Sequence, residues 1–191
     1  MKKVVSVLLV LGLLLTLCSC GQTPVNEEDT PSTTTTRPTE KLQAGGLEGK
    51  VLREGDRMAD ITITDLDGQT ATLSALLEEK ELVILNFWYV DCMFCIREFP
   101  AMSEAYAEHK DKVAIYALNP IDKQARVEKF RNENADLQFP MVRCPMGWAQ
   151  SFTITGYPTT VVIGKDGIIK KIHTGAYVEK SEWEDLFAEY M

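Results

Sequence analysis

Cys92 and Cys95, in the run Cys92–Met93–Phe94–Cys95, are the residues of this sequence best suited to chemistry. A thiolate is a strong nucleophile, and a second thiol about one helical turn on can attack a mixed disulfide formed at the first. The pair follows an apolar run, Leu82–Val83–Ile84–Leu85, and precedes a segment with helical patterning. That places it where a buried strand ends and a helix begins, and the free N–H groups of a helix start favour negative charge. The same spacing is also half of a zinc site, which needs a second Cys or His pair. The chain offers only His109, His173 and Cys144 for that purpose, so the expected chemistry is redox, with no metal and no cofactor beyond the cysteines themselves.

The other cysteines depend on the N-terminus. Met1, Lys2 and Lys3 give a basic start, Val4 to Leu17 is almost wholly apolar, and Leu17–Cys18–Ser19–Cys20–Gly21 follows. This order reads as a secretory signal over residues 1–19, its apolar core short of the roughly 20 residues a membrane-spanning helix needs. Its end resembles a bacterial lipobox, with Cys20 as the lipidated residue and Cys18 discarded with the signal. Acyl chains contribute about 0.8 kcal/mol per buried CH₂, so several would hold the chain to a membrane. The full chain carries a formal charge of −8, and removing Lys2 and Lys3 makes it −10. Such acidity argues against nucleic acid and against electrostatic adhesion to anionic lipid. Of five cysteines, Cys92, Cys95 and Cys144 then remain, a redox pair plus one, and not a disulfide scaffold.

Residues 20–49 form the lipidated cysteine and a Thr-, Pro- and Glu-rich tether with too few apolar side chains to order itself. Its mean reach is on the order of 30 Å. From residue 50 to 191 the pattern is globular. Ile61 and Ile63 alternate with polar residues, Asp65–Leu66–Asp67–Gly68 supplies a turn, and Ala71 to Leu73 returns, which predicts a β-hairpin. Ser74 is placed to cap a short helix ending at Glu79. Strands are expected over 81–88, 113–118, 139–142, 159–163 and 168–173, and helices over 93–109, 123–134 and 181–190, with a helical turn over 147–152. The result is an α/β domain whose mixed central sheet is covered by helices on both faces, preceded by an N-terminal β-hairpin.

Leu85–Asn86–Phe87–Trp88, followed by Cys92-x-x-Cys95 and Glu98–Phe99–Pro100, resembles the thioredoxin superfamily. It is most similar there to the membrane-anchored TlpA/ResA-like group. Gly156–Tyr157–Pro158–Thr159–Thr160 matches the family's cis-proline segment, and Thr174–Gly175–Ala176 its glycine before the last helix. The resemblance implies a thioredoxin-like fold from about Gly49 onward. It makes Cys92 the attacking thiol, Cys95 the resolving thiol, and Pro158 a cis residue against the sulfurs. Trp88 and Tyr157 would lie on the substrate side. Asn86 stands where thioredoxin keeps a proton-relaying aspartate, a task an amide cannot perform. Glu98, one turn after Cys95, matches a glutamate of ResA-like proteins and could take the proton of Cys95, best if buried with a raised pKa. The bland alternative is an exposed helix carboxylate.

Several positions depart from the family pattern. Asp91 replaces the usual tryptophan before the first cysteine, either as a helix N-cap or as a charge opposing thiolate formation. Met93 and Phe94 offer an apolar patch that selects an apolar partner or simply packs. Cys144, after a short strand, is either a third redox thiol or a buried inert one. Pro100 would kink the helix without chemistry. His109, His173 and Trp148 read as structural, and Trp88 itself reads more as a packing group than as a ligand site.

The expected function is an extracytoplasmic thiol–disulfide oxidoreductase, a membrane-anchored lipoprotein reducing disulfides in exported client proteins. That direction needs a membrane electron donor; the protein would act as a monomer and bind no nucleic acid. A Sco-like copper-delivery protein is the alternative on the same fold, but its wider cysteine spacing and partner histidine are not evident. A peroxiredoxin ranks lower, since the proline–threonine arrangement before its cysteine is missing ahead of Cys92.

Overall fold

The computed structural model of the protein describes Leu47 and residues 49–191. The signal segment 1–19, the lipidation candidate Cys20 and the tether up to residue 46 lie outside the described residues. Leu47 lies within the expected tether and packs against the domain. It is fully buried, and its carbonyl accepts from Ser151 Oγ at 2.6 Å and from Lys50 N at 3.2 Å. The packed part of the chain therefore includes Leu47, ahead of the expected start at residue 50.

Strands β1 (Thr62–Thr64) and β2 (Thr70–Thr72) form the expected antiparallel hairpin. Asp65 organises its turn by accepting the N–H groups of Asp67 and Gln69 at 2.9 and 2.8 Å. Helix α1 (Leu73–Glu79) follows directly, and its cap is Thr72, whose Oγ1 accepts from Ala75 N at 3.2 Å. Ser74 does not cap it, because the Asp60 carboxylate takes both its N–H and its hydroxyl at 2.8 Å.

The main sheet has five strands in the order β5–β4–β3–β6–β7. β3 (Leu82–Phe87) is its centre and is buried along its whole length, which is why it reads as a continuous apolar run. β4 (Val113–Asn119) and β5 (Met141–Arg143) run parallel to it, and β6 (Thr159–Gly164) and β7 (Ile169–Thr174) close the sheet antiparallel. β5 begins later than the sequence suggests. Pro140 has no N–H for a ladder, so only its carbonyl pairs, with Ala117 N at 3.0 Å, while Phe139 packs edge-on against Phe99.

Side chains alternate across a strand, so β3 serves two cores. Leu82 and Ile84 face one core with residues of α2 (Met93–His109), α3 (Gln124–Glu133) and α5 (Lys180–Tyr190). Val83, Leu85 and Phe87 face the other, with the hairpin, α1 and α4 (Met146–Ser151). α2 continues through Pro100 without a break. The parallel strands end on the edge from which α2 starts, and that edge carries the cysteine pair. Among the described residues no helix is long and apolar enough to cross a membrane.

Candidate active site

Cys92 and Cys95 are joined as a disulfide at the start of α2. Cys92 is itself the N-cap, its Sγ accepting from Cys95 N at 3.1 Å. That corrects the capping reading of Asp91, whose carboxylate pairs instead with Arg126 of α3. The sulfur therefore occupies the position where orphan N–H groups and the helix dipole stabilise negative charge. Cys92 retains 3% of its surface and Cys95 none, so an incoming group can reach only the first sulfur. Met93 and Phe94, by contrast, are 70% and 56% exposed beside it.

Glu98 lies one turn beyond Cys95 and is fully buried. Its Oε1 accepts from Asn86 Nδ2 at 2.8 Å and its Oε2 from the Tyr177 N–H at 3.1 Å. Burial pushes its pKa up to about 8, and the two hydrogen bonds offset only part of that rise. Asn86 arrives here by strand parity, pointing from β3 to the α2 side with Leu82 and Ile84. It also donates to Thr160 Oγ1 at 3.2 Å, its cross-strand neighbour on β6. Its Oδ1 is buried without a partner. Thr160 enters the sequence reading only as the end of the Gly156–Thr160 motif, with no role of its own, and Tyr177 does not enter it. The alternation of β6 carried a signal for Thr160, since its neighbour Val162 faces the same core, but the Tyr177 contact is a backbone N–H and has no sequence signature.

The Tyr157–Pro158 peptide is cis, and the Pro158 carbonyl accepts from Gly175 N at 3.0 Å, which brings the two downstream motifs together. Tyr157 is half-buried and meets Tyr89 edge-on, with ring centroids 5.5 Å apart. Burial decides Trp88 for its packing reading over the substrate side. Its indole is wholly buried against Phe99 and Phe130, 5.1 and 4.9 Å between centroids.

Cys144 corrects the third-redox-thiol reading in the same way. It is 1% exposed and sits in the core on the opposite face of the sheet from Cys92 and Cys95. Burial pushes its thiol up to about 12, which leaves almost no thiolate near neutral pH. His173 stacks on Tyr177 at 4.5 Å and His109 packs edge-on against Phe187, so both are packing groups. No group of three or more His, Cys, Asp or Glu is arranged to hold a metal ion among the described residues.

Residues 55–172 match the model of the AhpC/TSA family. The chain is 30% identical over 137 residues to the thioredoxin-like protein YneN of Bacillus subtilis, covering 71% of this chain and 79% of that one. It is 34% identical over 130 residues to the thiol-disulfide oxidoreductase ResA of Halalkalibacterium halodurans, covering 67% and 72%. Among solved structures, the thioredoxin domain of a thiol-disulfide oxidoreductase from Bacteroides vulgatus superposes with a TM-score of 0.59. The identity there is 22%, covering 71% of this chain and 98% of that domain. The fold is thioredoxin-like.

Proposed function

Because the chain belongs to the thioredoxin-like AhpC/TSA family and is similar to ResA and YneN, we propose that it is a thiol–disulfide oxidoreductase that reduces disulfides in exported proteins. The observation that carries this reading is the Cys92–Cys95 disulfide at the α2 N-terminus, with the buried Glu98 carboxyl one turn behind it. In the reduced state, the Cys92 thiolate attacks one sulfur of a client disulfide. A mixed disulfide forms and the first client thiolate leaves. Cys95 then gives its proton to the ionised form of Glu98 and attacks Cys92 Sγ, which releases the second client thiolate. The client gains two electrons and, after protonation, two thiols, while Cys92 and Cys95 become the disulfide. A membrane-bound dithiol donor must return those electrons.

Glu98 suits the proton step because its affinity for a proton, with a pKa of about 8, approaches that of a thiol. An ordinary carboxylate would be too weak a base. Exposed Met93 and Phe94 favour clients with apolar residues beside the cysteine. Half-buried Tyr157, preceding the buried cis Pro158, contributes the opposite side of the client-binding surface.

The direction is tested by equilibrating the protein with thiol buffers of known potential. A reducing couple is expected, nearer the roughly −270 mV of thioredoxin than the roughly −120 mV of a strong oxidant such as DsbA. A value at the oxidising end would overturn the reductive direction. Replacing Cys144 by Ser should leave the potential unchanged, given the burial of that thiol. Stable copper binding in place of the couple, or rapid turnover of peroxide, would overturn the function itself.

The exported location rests on the basic start, the apolar run and the Leu17–Cys18–Ser19–Cys20 sequence. Cells fed a labelled fatty acid should incorporate it into the full chain and leave a Cys20→Ala variant unlabelled. Equal labelling of both, or none, would remove the lipid anchor from the proposal.

A further inference from the structure

Arg126, in the first turn of α3, reaches two carboxylates at once. Its Nη2 pairs with Asp91 Oδ1 at 2.5 Å and its Nη1 with Asp122 Oδ1 at 2.7 Å. The Asp122 side chain is only 4% exposed. Its other oxygen accepts from Val90 N at 2.7 Å and Asn119 Nδ2 at 3.0 Å. Asn119 Oδ1 in turn accepts from the N–H groups of Ile121 and Asp122, at 3.0 and 2.8 Å. The two residues immediately before Cys92 are thus tied to one unit, Val90 through its backbone and Asp91 through its side chain. That unit is built from the end of β4 and the start of α3.

We propose that Arg126 is a positioning residue for the attacking sulfur: it neutralises Asp91 beside Cys92 and so maintains the thiolate that begins the reaction. The proposal rests on the reading of Cys92 as the attacking thiol. An unpaired carboxylate adjacent to a thiol disfavours its ionisation. The bland reading of the pair is fold stability, and magnitudes weigh against it. The Arg126 and Asp91 side chains are 47% and 69% exposed, and pairs of that kind contribute little to stability. Asp91 directly precedes the first cysteine in the chain, where a change in thiolate fraction acts directly on rate. Charged and titratable groups in the nearest turns of the surrounding elements include Asp91 in the cysteine loop, Cys95, Arg97 and Glu98 in α2, Asp122 and Lys123 before α3, Arg126 in α3, and the phenols of Tyr89, Tyr157 and Tyr177. Arg126 is the cation that contacts Asp91.

The experiment follows iodoacetamide alkylation of the reduced full chain from pH 6 to 9, at low and high salt, with the modified cysteine identified by peptide mass. Arg126→Gln should slow alkylation of Cys92 near pH 7 by roughly three- to tenfold and move its pH midpoint upward. Adding Asp91→Asn to that variant should return the rate to within about twofold of the natural chain, and Arg126→Lys should retain most of it. High salt should shrink the differences. An unchanged rate in Arg126→Gln would overturn the proposal. So would a double variant that stays as slow as Arg126→Gln, since the arginine would then only hold the loop in place. Rapid alkylation of Cys95 that persists in Cys92→Ser would instead overturn the attacking-thiol reading beneath it.

Discussion

Cys92→Ser should reduce disulfide-reductase activity to the background of the assay, while Cys95→Ser should retain the first attack and stall after it. The asymmetry follows from accessibility. Cys92 keeps a sliver of exposed surface and holds the helix-cap position, whereas Cys95 is fully enclosed. With Cys95 absent, the mixed disulfide between Cys92 and a client has no intramolecular thiol to break it. Cys144 cannot substitute, because it lies in the opposite core with its thiol pushed up to about 12. Cys95→Ser should therefore accumulate a client-linked species on non-reducing gels, lost on adding dithiothreitol. Accumulation with Cys92→Ser instead would invert the two roles.

Glu98→Gln should slow release of the mixed disulfide by roughly a hundredfold near pH 7, a typical contribution of a positioned acid–base group. It should also remove the inflection near pH 8 from the pH profile of that step. A separate effect is expected on stability. Glu98 has a folded-state pKa of about 8 against an ordinary value of 4.5, so its proton is bound more tightly in the folded state. Below about pH 4.5 the carboxyl is neutral in both states and exacts no penalty. Between there and pH 8 it ionises in the unfolded chain first, so stability falls as pH rises, and above pH 8 the loss is complete. The integrated loss is on the order of 5 kcal/mol, a large part of a typical domain's total.

Glutamine has no such titration. Its Oε1 can accept from Asn86, but its amide would meet the Tyr177 N–H donor to donor, at a cost of about 1–3 kcal/mol. Urea denaturation of the oxidised proteins should thus find Glu98→Gln less stable at pH 5. It should be the more stable of the two at pH 9, so that the curves cross. Parallel curves would mean that the carboxyl titrates as an ordinary exposed one.

Periodicity and local chemistry alone determined much of this protein. The uninterrupted Leu82–Leu85 run required a strand buried on both faces, and Asp65 to Gly68 required a turn. The cysteine spacing after that strand put a redox pair at a helix start. These features depend on neighbours within a few residues, where the spacing of side chains along a strand or helix is fixed by covalent geometry. The tertiary structure decided what depends on register. Asn86 meets Thr160 across 74 positions of chain, and Arg126 meets Asp91 across 35. Cap competition was equally invisible, with Thr72 displacing Ser74 and Cys92 displacing Asp91 once Asp60 and Arg126 had taken the polar groups of the expected caps. Strand parity and packing put Cys144 in the far core and closed fully over Glu98. The residues that can do chemistry were therefore legible in the sequence. Which thiol is reachable, which is inert and which carboxyl holds its proton were decided by burial, because desolvation depends on every element that closes over a group and not on its neighbours in the chain.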